Sequence, residues 1–333
     1  MSKELHLSSK IGHDDIKQEP NRKGFGRGLL EAGKRDSQVV ALCADLTEST
    51  QISLFRDAFP ERYVEMGVAE QNLVTVSSGM AAMGKIPFCA SYSAFSPGRN
   101  WEQIRTTITL NDRPVKIVGA HAGVSVGPDG ATHQMLEDIA LMRSLPNMVV
   151  VAPGDSIEAE KATLAIATNG KPSYIRLARE KTPIFTTEAT PFELGKAYVL
   201  REGKDVTLLG TGTMTYQLLV AARILAGDGV EAEVVHVPTI KPLDETTILA
   251  SLTKTGRAVS AEEAQIAGGF GGAIAELTSE KLPVPVRRIG ILDRYGESGK
   301  PDELLKHFGL TGTQIAMQVH EFISKVPQYK QGF

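Results

Sequence analysis

Short apolar runs alternate along the chain with longer stretches whose apolar residues recur at helical spacing. Residues 39–43, 116–119, 148–152 and 173–177 read as buried strands. Between them, 24–34, 66–82, 136–143 and 157–168 read as helices, the last with Asp155 as its N-cap after the Pro153-Gly154 break. Strands separated by such helical stretches predict a parallel sheet covered on both faces. The rhythm stops over 180–195, which holds Pro183, Pro191 and several threonines without a sustained apolar period. It then restarts, with strands expected at 205–210, 231–237, 258–261 and 286–289, and helices at 216–225 and from 271. The expected fold is α/β, two doubly wound domains: a flexible arm over 1–20, a first domain over 21–180, a linker over 181–195 and a second domain over 196–333. In such sheets ligands collect at the carboxyl ends of the strands.

Composition narrows the function classes. The 333 residues are 42% hydrophobic and 23% charged with a net charge of −3, ordinary for a globular protein and without the excess of positive charge that nucleic acid or an anionic membrane surface attracts. No apolar run approaches the roughly 18–20 residues that span a bilayer, and the polar start lacks a signal-peptide core. The two cysteines, Cys43 and Cys89, each lie inside an apolar stretch and read as buried thiols of a reducing compartment. A cytoplasmic location follows as the expectation.

Five segments carry candidate chemistry. Ala44-Asp45-Leu46-Thr47-Glu48-Ser49 follows a buried strand, where an α/β sheet presents ligand-binding groups or caps its next helix. Glu70, in Gly67-Val68-Ala69-Glu70-Gln71-Asn72-Leu73, is a carboxylate in a small, largely apolar stretch, either exposed on one face or buried and paired, and the buried form suits proton chemistry. Ser91-Tyr92-Ser93-Ala94-Phe95, followed by Arg99 and Trp101, offers aromatic faces for a flat heterocycle or for core packing. His121, Asp129 and His133 fall in one glycine-rich stretch between a strand and a helix, an arrangement that brings backbone and titratable groups close to a ligand. Arg179, at a strand end, can clamp a phosphate or carboxylate or pair with a nearby acid. Gly227-Asp228-Gly229 reads as a turn between helix and strand, and Gly268-Gly269-Phe270-Gly271-Gly272 as a close-packed helix start rather than a dinucleotide fingerprint.

In this order, Ala44-Asp45-Leu46-Thr47, Gly67-Val68-Ala69-Glu70-Gln71-Asn72, Gly127-Pro128-Asp129-Gly130-Ala131-Thr132-His133-Gln134 and Arg143-Ser144-Leu145-Pro146-Asn147 make the chain resemble the thiamine-diphosphate-dependent transketolase family. The likeness runs over nearly the whole length but matches only the pyrimidine-binding and C-terminal domains, as in the C-terminal subunit of a split transketolase. It implies that Glu70 bonds a nitrogen of the cofactor's aminopyrimidine and so favours the tautomer that generates the thiazolium nucleophile. It implies Phe95 or Tyr92 stacked on the pyrimidine, the segment being closer here to deoxyxylulose-phosphate synthases than to typical transketolases. Asp129 then recognises a substrate hydroxyl, and His133 binds substrate oxygen and shuttles a proton, a task suited to imidazole. Arg22, Ser49, His121 and Arg179 match a set around the acceptor phosphate, and Asp45 a position near the cofactor and the subunit contact. The resemblance further implies Mg²⁺ or Ca²⁺ held by a separate N-terminal, diphosphate-binding subunit. It also implies a homodimer of this chain within an α2β2 heterotetramer, sugar-phosphate substrates, and no nucleic-acid or membrane partner. Alternatives on the same cofactor are a β-type subunit of a 2-oxoacid dehydrogenase or a deoxyxylulose-phosphate-synthase-like enzyme, and a further alternative is a non-catalytic partner that keeps the fold for assembly or regulation.

Overall fold

The structure, a computed structural model, describes residues 5–329. Its first part holds strands β1 (Gln18–Pro20), β2 (Val39–Cys43), β3 (Tyr63–Glu65), β4 (Ile86–Tyr92), β5 (Lys116–Ala120), β6 (Val149–Val151), β7 (Ser173–Arg176) and β8 (Lys181–Pro183). Among them run helices α1 (Asn21–Arg35), α2 (Ser53–Ala58), α3 (Glu70–Ala82), the single turn α4 (Trp101–Gln103), α5 (Asp138–Arg143) and α6 (Ser156–Thr168). The second part holds β9 (Tyr198–Arg201), β10 (Val206–Gly210), α7 (Met214–Gly227), β11 (Ala232–His236), β12 (Thr239–Lys241), α8 (Glu245–Thr255), β13 (Ala258–Gln265), α9 (Phe270–Lys281), β14 (Val286–Ile291), α10 (Pro301–His307) and α11 (Gly312–Lys325).

The main sheet has seven strands in the order β12-β6-β7-β5-β4-β2-β3, and all are parallel except β12. Every residue of β2 and β5 is buried, which explains why these strands read as continuous apolar runs rather than alternations. On one face α1 lies against α6 so closely that a Cβ at Gly24 would sit 1.7 Å from the Ser156 carbonyl oxygen. Phe25, Leu29, Phe88, Val118 and Ile175 fill that layer, and burying each such side chain is worth about 1.5–3 kcal/mol. On the other face Leu73, Ile117 and Tyr174 join Leu209, Val235 and Phe270 of the second domain in one core. The second sheet has the order β14-β13-β10-β11-β9, parallel but for β9.

Besides this shared core, the domains are tied by a strand and by a buried polar pair. Strand β12 leaves the second domain and pairs antiparallel with β6 at the edge of the first sheet. Deeper in, His236 at the end of β11 shares a 2.7 Å hydrogen bond with Glu158 of α6, both fully buried. A third buried polar group belongs to the first sheet alone. The Lys116 ammonium on β5 donates to Asn169 Oδ1 at 2.7 Å and to the Lys171 carbonyl at 2.6 Å. Burial with no carboxylate beside it pushes this amine down to about 7.

Several sequence expectations change. The expected arm is tied down over its described part: Ile16 is buried, the Ser8 amide donates to the Phe185 carbonyl, and β1 pairs antiparallel with β8 inside the expected linker. Both strands have three residues and end in proline, too short to show alternation. Residues 1–4 lie outside the described residues. The helix expected from 66 starts at Glu70, because Tyr63–Glu65 is a strand and Gly67 turns the chain at φ 65°. Strands β3, β4, β9 and β12 and helices α2, α4, α8, α10 and α11 lie outside the expected elements. Cys43 and Cys89 are buried and unpaired. Asp155 caps α6, accepting from the Glu158 amide at 3.0 Å. Gly227 ends α7, and Asp228-Gly229 is the turn after it. The glycines at 268–272 open α9, whose first amides, Phe270 and Gly271, donate to the buried Glu262 carboxylate. An anion there meets the positive end of the helix, while burial still lifts the Glu262 carboxyl to about 7.

No helix among the described residues is long and apolar enough to cross a membrane.

Candidate active site

The candidate residues stand at the carboxyl ends of adjacent parallel strands. Asp45 follows β2, Glu70 opens α3 just beyond β3, Tyr92 ends β4, His121 follows β5 and Arg179 follows β7. Arg22 reaches the same end from α1. The β1–β8 pairing puts the start of α1 beside the end of β7, and Asn21 Oδ1 fixes the junction by accepting the Ala178 amide at 2.8 Å.

Glu70 is 2% exposed. Arg99 Nη1 donates to its Oε2 at 2.8 Å, and Asn100 Nδ2 donates to its backbone carbonyl at 2.8 Å. The Arg99 guanidinium lies over Phe95, 4.9 Å from the ring centroid. Phe95 packs edge-on to His133 at 5.4 Å and stacks on Tyr92 at 6.2 Å, and Tyr92 stacks on His121 at 3.9 Å. Four rings thus form one wall, with the buried carboxylate and its arginine beside Phe95.

Two arginines lie near the His121 end of this wall. Arg22 donates Nη1 to the Ser49 carbonyl at 2.5 Å and Nε to the Arg179 carbonyl at 3.2 Å. Arg179 Nη1 donates to the Val126 carbonyl at 2.5 Å and to Asp129 Oδ2 at 3.3 Å. Ser49 therefore meets the cluster through its backbone. Burial, reinforced by Arg22, Arg179 and His133, drives His121 down to about 3, so its ring is neutral, and its buried Nδ1 has no partner among the described residues. Burial also lowers Arg22 from its ordinary value. His133 Nδ1 shares a 2.9 Å hydrogen bond with Thr132 Oγ1.

Asp45 stands apart from these groups. It is exposed, at φ 57°, and its amide donates to Glu65 Oε1 at 2.8 Å. Glu65 was not singled out from sequence, although it holds this corner together. It also accepts from the Gly67 amide, the Tyr63 hydroxyl and Thr47 Oγ1, at 2.9, 2.6 and 3.2 Å.

The second domain shapes the loop that carries Asp129 and His133. Buried Glu263 of β13 accepts the Ser125 amide at 2.6 Å. Gly123, at φ 88°, admits no side chain, since a Cβ would sit 2.3 Å from the Glu263 carboxylate. Gln134 Nε2 donates to the carbonyls of Val124, Gly127 and Glu297, the last from the segment after β14. A Cβ on Gly296 would meet Gln134 Oε1 at 1.8 Å. The contacts with Glu263, Gly296 and Glu297 join segments more than a hundred residues apart, and no local pattern announces them.

Comparison with known proteins matches this architecture. Residues 18–184 fit the model of the transketolase pyrimidine-binding domain, and residues 195–315 that of the transketolase C-terminal domain. The chain belongs to the transketolase family. Within it, this chain corresponds in extent to a separately encoded C-terminal section. It is 45% identical to a putative transketolase C-terminal section of Methanocaldococcus jannaschii, over 91% of this chain and 96% of that one. It is 43% identical to a 6-deoxy-6-sulfo-D-fructose transketolase subunit of a Clostridium species, over 88% and 91%. A solved structure described as a split gene transketolase, inactive beta4 tetramer, superposes with a TM-score of 0.86 at 41% identity, over 92% and 98%.

The family's dependence on thiamine diphosphate agrees with the donor set here. A buried carboxylate beside the face of Phe95 offers an acceptor and a flat apolar surface, the two features an aminopyrimidine uses. Among the described residues, no three His, Cys, Asp or Glu side chains cluster closely enough to hold a metal ion.

Proposed function

We propose that this chain is the C-terminal subunit of a split transketolase, moving a two-carbon ketol unit from a ketose phosphate to an aldose phosphate. Its active site is shared with a separate diphosphate-binding subunit, which supplies the ligands for Mg²⁺ or Ca²⁺. The observation that carries the reading is the joining, at one end of one sheet, of a buried carboxylate, an aromatic wall and two arginines around neutral His121.

Bound thiamine diphosphate supplies a carbon nucleophile and an electron sink for the two-carbon unit. Glu70 binds the aminopyrimidine through its carboxylate, and Phe95 or Tyr92 offers the ring face. Asp129 orients the sugar by accepting from a hydroxyl. His133, with Nδ1 engaged by Thr132, uses Nε2 to hold and move a proton at the substrate oxygen. Arg22 and Arg179, with neutral His121 and the Ser49 loop, bind the terminal anion of the sugar, where a guanidinium is the strongest donor. Asp45 lies at the rim, toward the partner subunit.

The assembly is two copies of each subunit, located in the cytoplasm. The relative described as an inactive tetramer of beta chains fits a chain that needs a second kind of subunit. Another relative is named for a sulfo-sugar, and an arginine pair accepts sulfonate as well as phosphate, so both anions belong in the substrate panel.

The test is coupled ketol transfer from xylulose 5-phosphate to ribose 5-phosphate with thiamine diphosphate and Mg²⁺. This chain is assayed alone and mixed with the diphosphate-binding subunit of the same genome. Turnover only in the mixture is expected. A verified complex that binds cofactor but is silent on phosphorylated and sulfonated sugars refutes the reading in favour of a 2-oxoacid or deoxyxylulose-phosphate-synthase-like reaction.

A further inference from the structure

Arg99 has no place in the mechanism above, yet it is paired with the buried Glu70 carboxylate. Its guanidinium is flat, rich in nitrogen and cationic. It donates to Glu70 Oε2 at 2.8 Å, and it lies over Phe95 at 4.9 Å. An aminopyrimidine held by the same two residues makes the same two contacts, an N–H on the carboxylate and a ring face on the aromatic. Both ligands therefore compete for one carboxylate and one ring. Glu70 is 2% exposed whereas the Arg99 side chain is 51% exposed. The carboxylate is fixed at the start of a helix, and the arginine is free to leave for solvent.

We propose that Arg99 is a resident stand-in for the cofactor's aminopyrimidine: it fills the pyrimidine site of the free chain and swings out when the cofactor enters. This rests on the assignment of Glu70 and Phe95 to the pyrimidine given under Proposed function. The physical need is plain. A buried carboxylate with no partner is strongly destabilising, and a chain made separately from its cofactor-binding partner must hold that carboxylate in the meantime. A guanidinium suits the task because it bonds through its edge and stacks through its face, which an ammonium does not. The hydrogen bond from the Arg99 amide to the Phe95 carbonyl, 3.0 Å, anchors its backbone so that only the side chain has to move.

The stand-in has a signature that a permanent partner of Glu70 lacks. Removing a competitor tightens cofactor binding, whereas removing a permanent partner weakens it. The experiment compares wild type, Arg99→Met and Arg99→Lys, each assembled with the diphosphate-binding subunit. Thiamine diphosphate is titrated calorimetrically at fixed Mg²⁺, and thermal unfolding of each free chain and each loaded complex is recorded. The expected result is about tenfold tighter binding for Arg99→Met, the scale of one charge-assisted hydrogen bond no longer broken on entry. The free variant chain melts lower than wild type, and the loaded complexes melt together. Arg99→Lys, which keeps the charge without the flat face, falls between. If the Arg99→Met chain does not fold, the Arg99→Lys titration decides alone, with tightening expected. Unchanged or weaker binding by the variants, beside a wild type that binds, overturns the stand-in and leaves the assignment of Glu70 standing. A wild-type complex that binds no thiamine diphosphate removes that assignment, and the stand-in falls with it.

Discussion

Replacing Glu70 by glutamine separates chemistry from packing at this site. The substitution keeps the size of the side chain and one accepting oxygen, so Arg99 retains a partner at the position it now bonds at 2.8 Å. What is lost is the charge. A hydrogen bond to a charged group contributes about 1.5–3 kcal/mol and a neutral one about 1, but the arginine is half in water, which screens the difference. The expected stability loss is about 1 kcal/mol or less, a shift of roughly 2 °C in a chain of this size. Glutamine cannot take or release a proton. Loss of a positioned proton-transfer group lowers turnover by about 10²–10⁴, or roughly 2.7–5.5 kcal/mol of barrier. Ketol transfer by the complex and calorimetric unfolding of the free chain, measured on the same preparation, give both numbers. Turnover within about threefold of wild type, with complex and fold intact, refutes the role given to Glu70.

Arg179→Ala removes a guanidinium held between Val126 and Asp129; it should weaken phosphorylated sugars at least tenfold more than unphosphorylated ones in kcat/KM, and equal losses refute anion recognition. Lys116→Met tests the buried amine. Its folded value of about 7 lies below the ordinary 10.5, so the unfolded chain binds the extra proton between those limits. Wild-type stability should therefore gain, over the variant, up to about 1.4 kcal/mol per pH unit from 7 to 10.5, with no gain below 7; parallel pH profiles from chemical denaturation contradict it. Gly296→Ala drives a methyl group into Gln134 and should raise KM or lower kcat severalfold with little change in cofactor binding. An unaltered profile means that the second domain does not hold the substrate loop.

The legibility of the sequence followed the range of the interactions. Val39–Cys43 and the strand expected at 116–119 are readable because burial on both faces writes itself as a largely apolar run, and the loop after the first is flagged by its position alone. Glu70 and the two histidines stood out as polar groups in small-residue surroundings. Arg22 came only through family resemblance, because what delivers it is the pairing of two three-residue strands far apart in the chain. Arg99 was seen but given no task; its spacing of four from Phe95, one helical turn, was the available signal. Glu65, Glu263 and Gln134 act on partners that no local pattern names, and β12 is invisible because its purpose lies in the other domain.

That borrowed strand decides where this protein tolerates division. Without Thr239–Lys241 the first sheet ends in the bare edge of β6, three valines with an open hydrogen-bonding side, a template for association between chains. A gene cut in the connector between the two domains would leave one product with that edge and the other with an orphaned strand, each needing the other to stay soluble. Breaks ahead of β1 spare the sheet altogether. The fold thus acts as a filter on gene fission, and it marks the same rule for the engineer: reporters and tethers belong outside residues 5–329, because α11 and the segment ahead of β1 are packed on the fold, and a single-domain fragment made by trimming at 195 should aggregate rather than fold.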